Sequence, residues 1–224
     1  MHNKQNNRVG IGVIGTGCIF EGWEGASGHL PAYPWVIEEA KIVSLCDANE
    51  SNLKNAENAL KKVYQEKINF FKEKGDKRIS DLLMKDAQEL KTYLNLDEML
   101  EKEKIDLVDI ITPAQHHLEA IRKSLNADCH IMCEKPLTRT WLEAVEIVKE
   151  VEKSGKFFQY NENFIFADPY YDIRNLIQAG EIGEVECIWC PFSCGFTGNY
   201  SYIKGGVGSL SDMAIHGITL CWFL

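Results

Sequence analysis

The chain has 224 residues, enough to bury a substantial core as one large domain or two small ones. Apolar residues make up 45% and charged residues 25%, a balance that excludes a disordered or fibrous chain. Lys and Arg number 24 against 33 Asp and Glu; the net charge of -9 makes nucleic-acid phosphates and anionic lipid surfaces unfavourable partners.

Met1 to Arg8 is polar, unlike a signal peptide, and no apolar run reaches the length of a membrane span, so the expected location is the cytoplasm. Residues 9–14 (VGIGVI) form a short apolar run entering Gly15-Thr16-Gly17, as a buried parallel strand entering a tight turn does. Residues 41–46 (KIVSLC) predict a second strand ending at Asp47. The roughly 25 residues between the strands predict a turn and a crossover helix, completing a βαβ unit. Residues 51–94 are charged and helical in pattern, interrupted at Lys74-Gly75-Asp76, and predict two helices joined by a turn.

A short helix is expected over 97–104, and a third strand over 105–111 (IDLVDII) stops at Thr112-Pro113. The helix HHLEAIRKSL follows. A strand over 129–133 leads to Glu134-Lys135-Pro136, then come a helix from Thr138 to Lys153 and a strand from Lys156 to Tyr160. This alternation predicts an α/β fold over residues 1–160, a doubly wound parallel sheet of Rossmann type covered by helices. Beyond 160 the texture turns aromatic and Gly-rich, with a helix over 168–179, a strand over 185–194 and glycines at 205, 206 and 208. A second domain is expected over 161–224, and the apolar run ending at Leu224 without a polar cap reads as a truncation.

The chain carries eight cysteines, most of them in apolar runs such as those around Cys46, Cys129 and Cys133, where a free thiol behaves as a small hydrophobe. Reduced thiols are expected. Cys187, Cys190 and Cys194 include a zinc-like spacing, but strand alternation would put Cys187 and Cys190 on opposite faces, and no second ligand pair follows. No metal is expected.

The chemistry lies at the strand ends. Gly15-Thr16-Gly17, followed by Cys18 and Ile19 at the start of a helix, lets backbone approach a pyrophosphate that the helix N-terminus favours. Phe20 stands where the fingerprint has its third glycine, which should displace the first helix or shift its start. Asp47 stands where a carboxylate accepts hydrogen bonds from ribose hydroxyls and repels a 2′-phosphate. No Arg follows it, so NAD is favoured over NADP. Lys135 ends a strand on the ligand-binding edge, where it can stabilise alkoxide charge. Asp212-x-x-x-His216 places two side chains on one helical face. His216 is a candidate general base, a role contributing about 10²–10⁴ in rate, with Asp212 orienting its imidazole or bonding the substrate.

The ordered set GVIGTG, a strand ending in Asp47, ITPAQHH, CEKP, ENFIF and GGVGSLSDMAIH resembles the glucose-fructose oxidoreductase/inositol dehydrogenase (Gfo/Idh/MocA) family over the whole chain. The resemblance implies an N-terminal Rossmann domain binding NAD(P) and a C-terminal α+β domain with an open, mostly antiparallel sheet. It implies a small-molecule sugar or polyol substrate, a catalytic set of Lys135, Asp212 and His216, and homo-oligomers through the C-terminal domain in the full-length protein. It further implies that Thr112, Pro113 and His117 line the cofactor, that Glu134 faces its ribose, that Lys135-Pro136 is cis, and that Asn163 lies near nicotinamide and substrate. Ala114 and Ile165 depart from the family's usual Asn and Arg. An NAD-retaining glycosidase and a non-catalytic dinucleotide- or sugar-binding regulator are the other classes open; intact Lys135, Asp212 and His216 favour the oxidoreductase.

Overall fold

Six short, mostly apolar runs form strands in the computed structural model, which describes residues 8–23, 26–191, 208 and 210–224. They are β1 (Val9–Ile14), β2 (Ala40–Cys46), β3 (Lys91–Tyr93), β4 (Leu107–Ile110), β5 (His130–Glu134) and β6 (Phe158–Asn161). All are parallel, in the order β3-β2-β1-β4-β5-β6. The chain steps outward from β1 to β3, then returns to the other side of β1 with β4. That reversal opens a crevice at the carboxyl ends of β1 and β4, where doubly wound sheets take ligands.

Both sheet faces are covered, as a parallel sheet requires. On one face Val13, Phe20, Leu45, Leu60 and Tyr64 form one apolar cluster; on the other Val108, Ile110, Ile121, Ile131 and Ile147 form a second. Local signals set the helix ends. The side chain of Asn49 accepts from the amides of Ser51 and Asn52 to start α2 (Glu50–Glu73), and Asp76 caps α3 (Lys77–Glu89) after a turn at Gly75. Thr140 and Glu143 form a capping box on α6 (Trp141–Ser154), which ends at left-handed Gly155. Between them lie α4 (Leu96–Lys102) and α5 (His117–Asn126), and α7 (Asp168–Gln178) and α8 (Ile215–Phe223) follow. Arg8 reaches across to buried Asp86 with two bonds of 2.6 and 2.7 Å, tying the start of β1 to α3.

Three expectations need correction. The crossover from β1 to β2 is not one helix. A single turn, α1 (Cys18–Glu21), is followed by a two-residue hairpin and a 3₁₀ segment, Leu30–Val36, because Gly22, Gly28, Pro31 and Pro34 interrupt any longer helix. Phe20 is fully buried in the core beneath this turn. The close approach is made instead at Gly28, where an added Cβ would collide with the backbone of Ile19, Phe20 and Gly22.

The second correction is β3, an edge strand inside a stretch read as helical. The third is the strand over 185–194: residues 185–191 form no strand, and no strand follows Asn161 among the described residues. Strand alternation therefore does not set Cys187 and Cys190 on opposite faces; Cys187 is exposed and the Cys190 sulfur lies 4.0 Å from that of Cys221. Cys46, Cys129 and Cys133 are buried free thiols as expected, and burial pushes Cys133 well above the usual thiol range. Cys194, Gly205 and Gly206 lie outside the described residues.

Candidate active site

The glycine turn closes β1 with Gly15 at φ +86, a conformation only glycine adopts easily. An added Cβ would lie 2.8 Å from the backbone of Ile111 and Thr112, whereas the same position on Gly17 faces open space. Backbone is thus exposed to a ligand at the helix start. Asp47, at the end of β2, fastens this turn: its Oδ2 accepts from the Thr16 amide at 2.8 Å and from the Thr16 hydroxyl at 3.2 Å, and its Oδ1 from the Asn49 amide at 2.8 Å.

A cavity of about 600 Å³ opens at the sheet's reversal point, lined by Gly15, Gly17, Cys18, Ile19, Asp47, Thr112 and Pro113 among others. The Thr112 hydroxyl is buried there without a hydrogen-bond partner among the described residues. A glycine cradle, a strand-end carboxylate and an unused hydroxyl around one apolar-floored cleft fit the pyrophosphate and adenosine of a dinucleotide.

His117 does not line this cleft. Its fully buried ring points inward, with Nε2 at 2.6 Å from the Thr112 carbonyl oxygen and Nδ1 at 3.0 Å from that of Leu137. Burial holds its pKa below the usual value, although the two carbonyls pull the other way. His116, one residue earlier, faces the cleft instead. The physical reason is the 3₁₀ turn Ala114–His116, which rotates the second histidine toward the core as α5 begins.

Glu134 ends β5 and Lys135 follows it, and the Lys135-Pro136 bond is cis as expected. Glu134 Oε2 accepts from the Lys135 amide at 3.1 Å, and its Oε1 lies 3.0 Å from His29 Nε2. The other nitrogen of His29 lies 2.8 Å from Asp109 Oδ2, an oxygen that also accepts from the Tyr33 hydroxyl. Burial disfavours the His29 cation, but the hydrogen bonds and charges of Asp109 and Glu134 outweigh it and raise its pKa from 6.5 to about 10. His29 therefore joins two carboxylates as a cation, fixing Glu134 against β4.

The last groups come from beyond β6. Lys135 Nζ donates to Asp212 Oδ1 at 2.7 Å and to the Asp212 carbonyl at 2.8 Å, across 77 residues of sequence. His216 Nδ1 lies 2.7 and 2.8 Å from the two carboxylate oxygens of Glu162. The expected pairing of Asp212 with His216 is thus replaced by two cross-chain pairs. Leu210–Ala214 is a π-helical turn, wound wider than an α-helix, so a spacing of four no longer stacks the two side chains. Asn163 is exposed, on the 3₁₀ turn Asn163–Phe166.

Sequence reasoning missed Glu162, His29, Tyr33 and Asp109 as members of the site. One signal was available: Asp109 interrupts the buried run LVDII, and a carboxylate inside a buried strand needs partners.

A parallel sheet of this order with a glycine turn after its first strand is the architecture of a dinucleotide-binding Rossmann domain. Residues 9–162 match the family described as "Oxidoreductase family, NAD-binding Rossmann fold", and the chain belongs to that family, the Gfo/Idh/MocA oxidoreductases. It is 32% identical over 124 residues to the D-glucoside 3-dehydrogenase of Escherichia coli, a match covering 53% of this chain and 35% of that one. It is 34% identical over 97 residues to the dTDP-3,4-didehydro-2,6-dideoxy-alpha-D-glucose 3-reductase of Saccharopolyspora spinosa, covering 43% and 29%. In fold it is similar to the scyllo-inositol dehydrogenase of Lactobacillus casei, solved with bound NAD(H) and scyllo-inositol, at a TM-score of 0.67 and 18% identity, over 97% of this chain and 56% of that one. Matches cover 25% to 39% of the curated relatives' lengths and 42% to 56% of the solved chains. Among the described residues no helix is long and apolar enough to cross a membrane.

Proposed function

We propose that this chain carries the cofactor site and the proton-handling groups of an NAD-dependent oxidoreductase acting on a secondary alcohol of a sugar or polyol. One observation carries the reading: Lys135, bonded to Asp212 at 2.7 Å, and Glu162, bonded to His216 at 2.7 Å, both follow strands at the carboxyl edge of the sheet that also bears the glycine turn. Glu134 and Asn161 are paired across β5 and β6, so Lys135 and Glu162, the residues that follow them, leave neighbouring strand ends together.

NAD, when bound, supplies the hydride acceptor, and its reduced form the donor. The residues of the chain do the rest. The Lys135 ammonium holds the substrate oxygen and stabilises negative charge as it develops. His216 takes the hydroxyl proton in oxidation and returns it in reduction. Asp212 holds the lysine side chain in place through two bonds. Asp47, whose carboxylate repels a 2′-phosphate and which is followed by the uncharged Ala48 and Asn49, favours NAD over NADP. The names of the relatives, two of them enzymes of glucosides and nucleotide sugars, support the substrate class.

The division into a cofactor domain over 1–160 and a substrate domain over 161–224 belongs to the same reading, as do a cytoplasmic location and a homo-oligomer. Exposed Trp189 and Trp222 support assembly through the later region. The test is Lys135→Ala in a screen of sugars and polyols for NAD reduction. Turnover should fall about 10²–10³-fold, as for removal of one oxyanion donor, with NAD affinity retained. Unchanged turnover contradicts the assignment.

A further inference from the structure

Glu162 opens the ENFIF motif, in which only Asn163 has been given a role, yet it is fully buried and its carboxylate points at a histidine 54 residues later. Both oxygens lie within 2.8 Å of His216 Nδ1, and Oε1 also accepts from the Phe164 amide at 3.3 Å. A buried carboxylate costs several kcal/mol unless hydrogen-bonded, so its placement calls for a partner that always donates. The Phe164 ring packs 4.8 Å from the imidazole, removing the remaining freedom of the ring to swing.

We infer that Glu162 is a positioning residue that fixes the tautomer of His216, an inference that rests on the reading of His216 as the base. A carboxylate accepts and does not donate. The neutral imidazole must therefore carry its proton on Nδ1, which leaves the lone pair on Nε2, the nitrogen directed away from Glu162. In oxidation the hydroxyl proton passes to Nε2, Nδ1 keeps its own proton, and the cation so formed is held by the Glu162 carboxylate. No other reactant is needed. The position of Glu162 favours this role over a purely structural one: it follows β6 directly, beside Lys135 at the end of β5, so one sheet edge aligns the base and the lysine.

The experiment is a ring-nitrogen correlation spectrum of the full 224-residue chain, uniformly nitrogen-15 labelled, recorded over a pH series and assigned through His216→Gln. The wild-type neutral ring should show Nδ1 protonated and Nε2 bare. In Glu162→Gln, whose amide can also donate, the Nε2-protonated form should become populated; in Glu162→Asp the wild-type tautomer should persist. With NAD binding as the control for folding, turnover of Glu162→Gln should fall about 10- to 100-fold at unchanged KM, less than loss of the base itself. A wild-type ring protonated at Nε2, a ring that keeps both protons throughout, or a folded Glu162→Gln with the wild-type spectrum overturns the proposal. Should Glu162→Gln fail to fold, the wild-type spectrum and Glu162→Asp decide it. The spectrum needs no turnover, so an inactive wild type counts against the proposed reaction alone.

Discussion

The sheet-bearing region and the region after β6 hold their side chains in place by different physics. In the first, apolar clusters cover both sheet faces, and Val13, Leu45, Leu60, Val108, Ile110 and Ile131 are fully buried. In the second, α7 buries no side chain, and Trp189 and Trp222 are each 85% exposed. Among the described residues, two polar pairs join the second region to the sheet edge: Lys135 with Asp212, and Glu162 with His216. Apolar burial is non-directional and sets where a region sits. Hydrogen bonds are directional and set which atoms point into a site. Substitutions in the first region should therefore alter stability, and substitutions in the polar pairs should alter chemistry.

The sharpest break of that division is Arg8→Ala. Removing the arginine leaves the Asp86 carboxylate buried and unpaired, a loss of about 3–5 kcal/mol in the unfolding free energy obtained from urea titration. The alcohol chemistry of any remaining folded protein should be unchanged.

A smaller effect should follow from His29. Its pKa is raised on folding, so its contribution to stability is fully present below pH 6.5 and is lost as pH climbs through about 10. Unfolding free energy measured across that window should decline in the wild type and flatten in His29→Asn. Equal slopes would mean that the Asp109 and Glu134 carboxylates do not hold the cation. The smallest effect belongs to Trp222→Ala, which should shift the melting free energy by no more than about 0.5 kcal/mol because the ring is 85% exposed. A large loss there would show that α8 is held by apolar packing after all.

The parts of the fold legible in the sequence are those where local pattern and tertiary burial agree. The runs VGIGVI, KIVSLC and CHIMC are apolar because both sheet faces are covered, and the break at Lys74-Gly75-Asp76 is written in turn chemistry. β3 was not legible: KTY is three residues long, polar and largely exposed, and its strand character comes from pairing with β2. The run at 185–191 failed in the opposite sense, since no strand lies beside it among the described residues to turn its alternation into a ladder.

The site divides in the same way. Gly15, Asp47 and Lys135 were legible because each ends a strand, and strand ends converge on one edge whatever the loops do. The pairings were not. Spacing alone joins Asp212 to His216, but the wide turn at Leu210–Ala214 sends Asp212 to a lysine 77 residues earlier, and Glu162 takes the histidine. His29 was hidden inside a segment read as a plain crossover. Its role depends on Asp109 and Glu134, which are separated from it by 80 and 105 residues.

In the proposed reaction the region after β6 delivers a base to a cofactor cleft built by the sheet and its flanking helices. His216→Ala tests it most directly, through NAD affinity by calorimetry and NAD reduction with the sugar or polyol that the wild type accepts. Turnover should fall by about 10²–10⁴ while NAD affinity stays within about twofold of wild type. Undiminished turnover, or a loss of NAD binding that matches the loss of turnover, would contradict it.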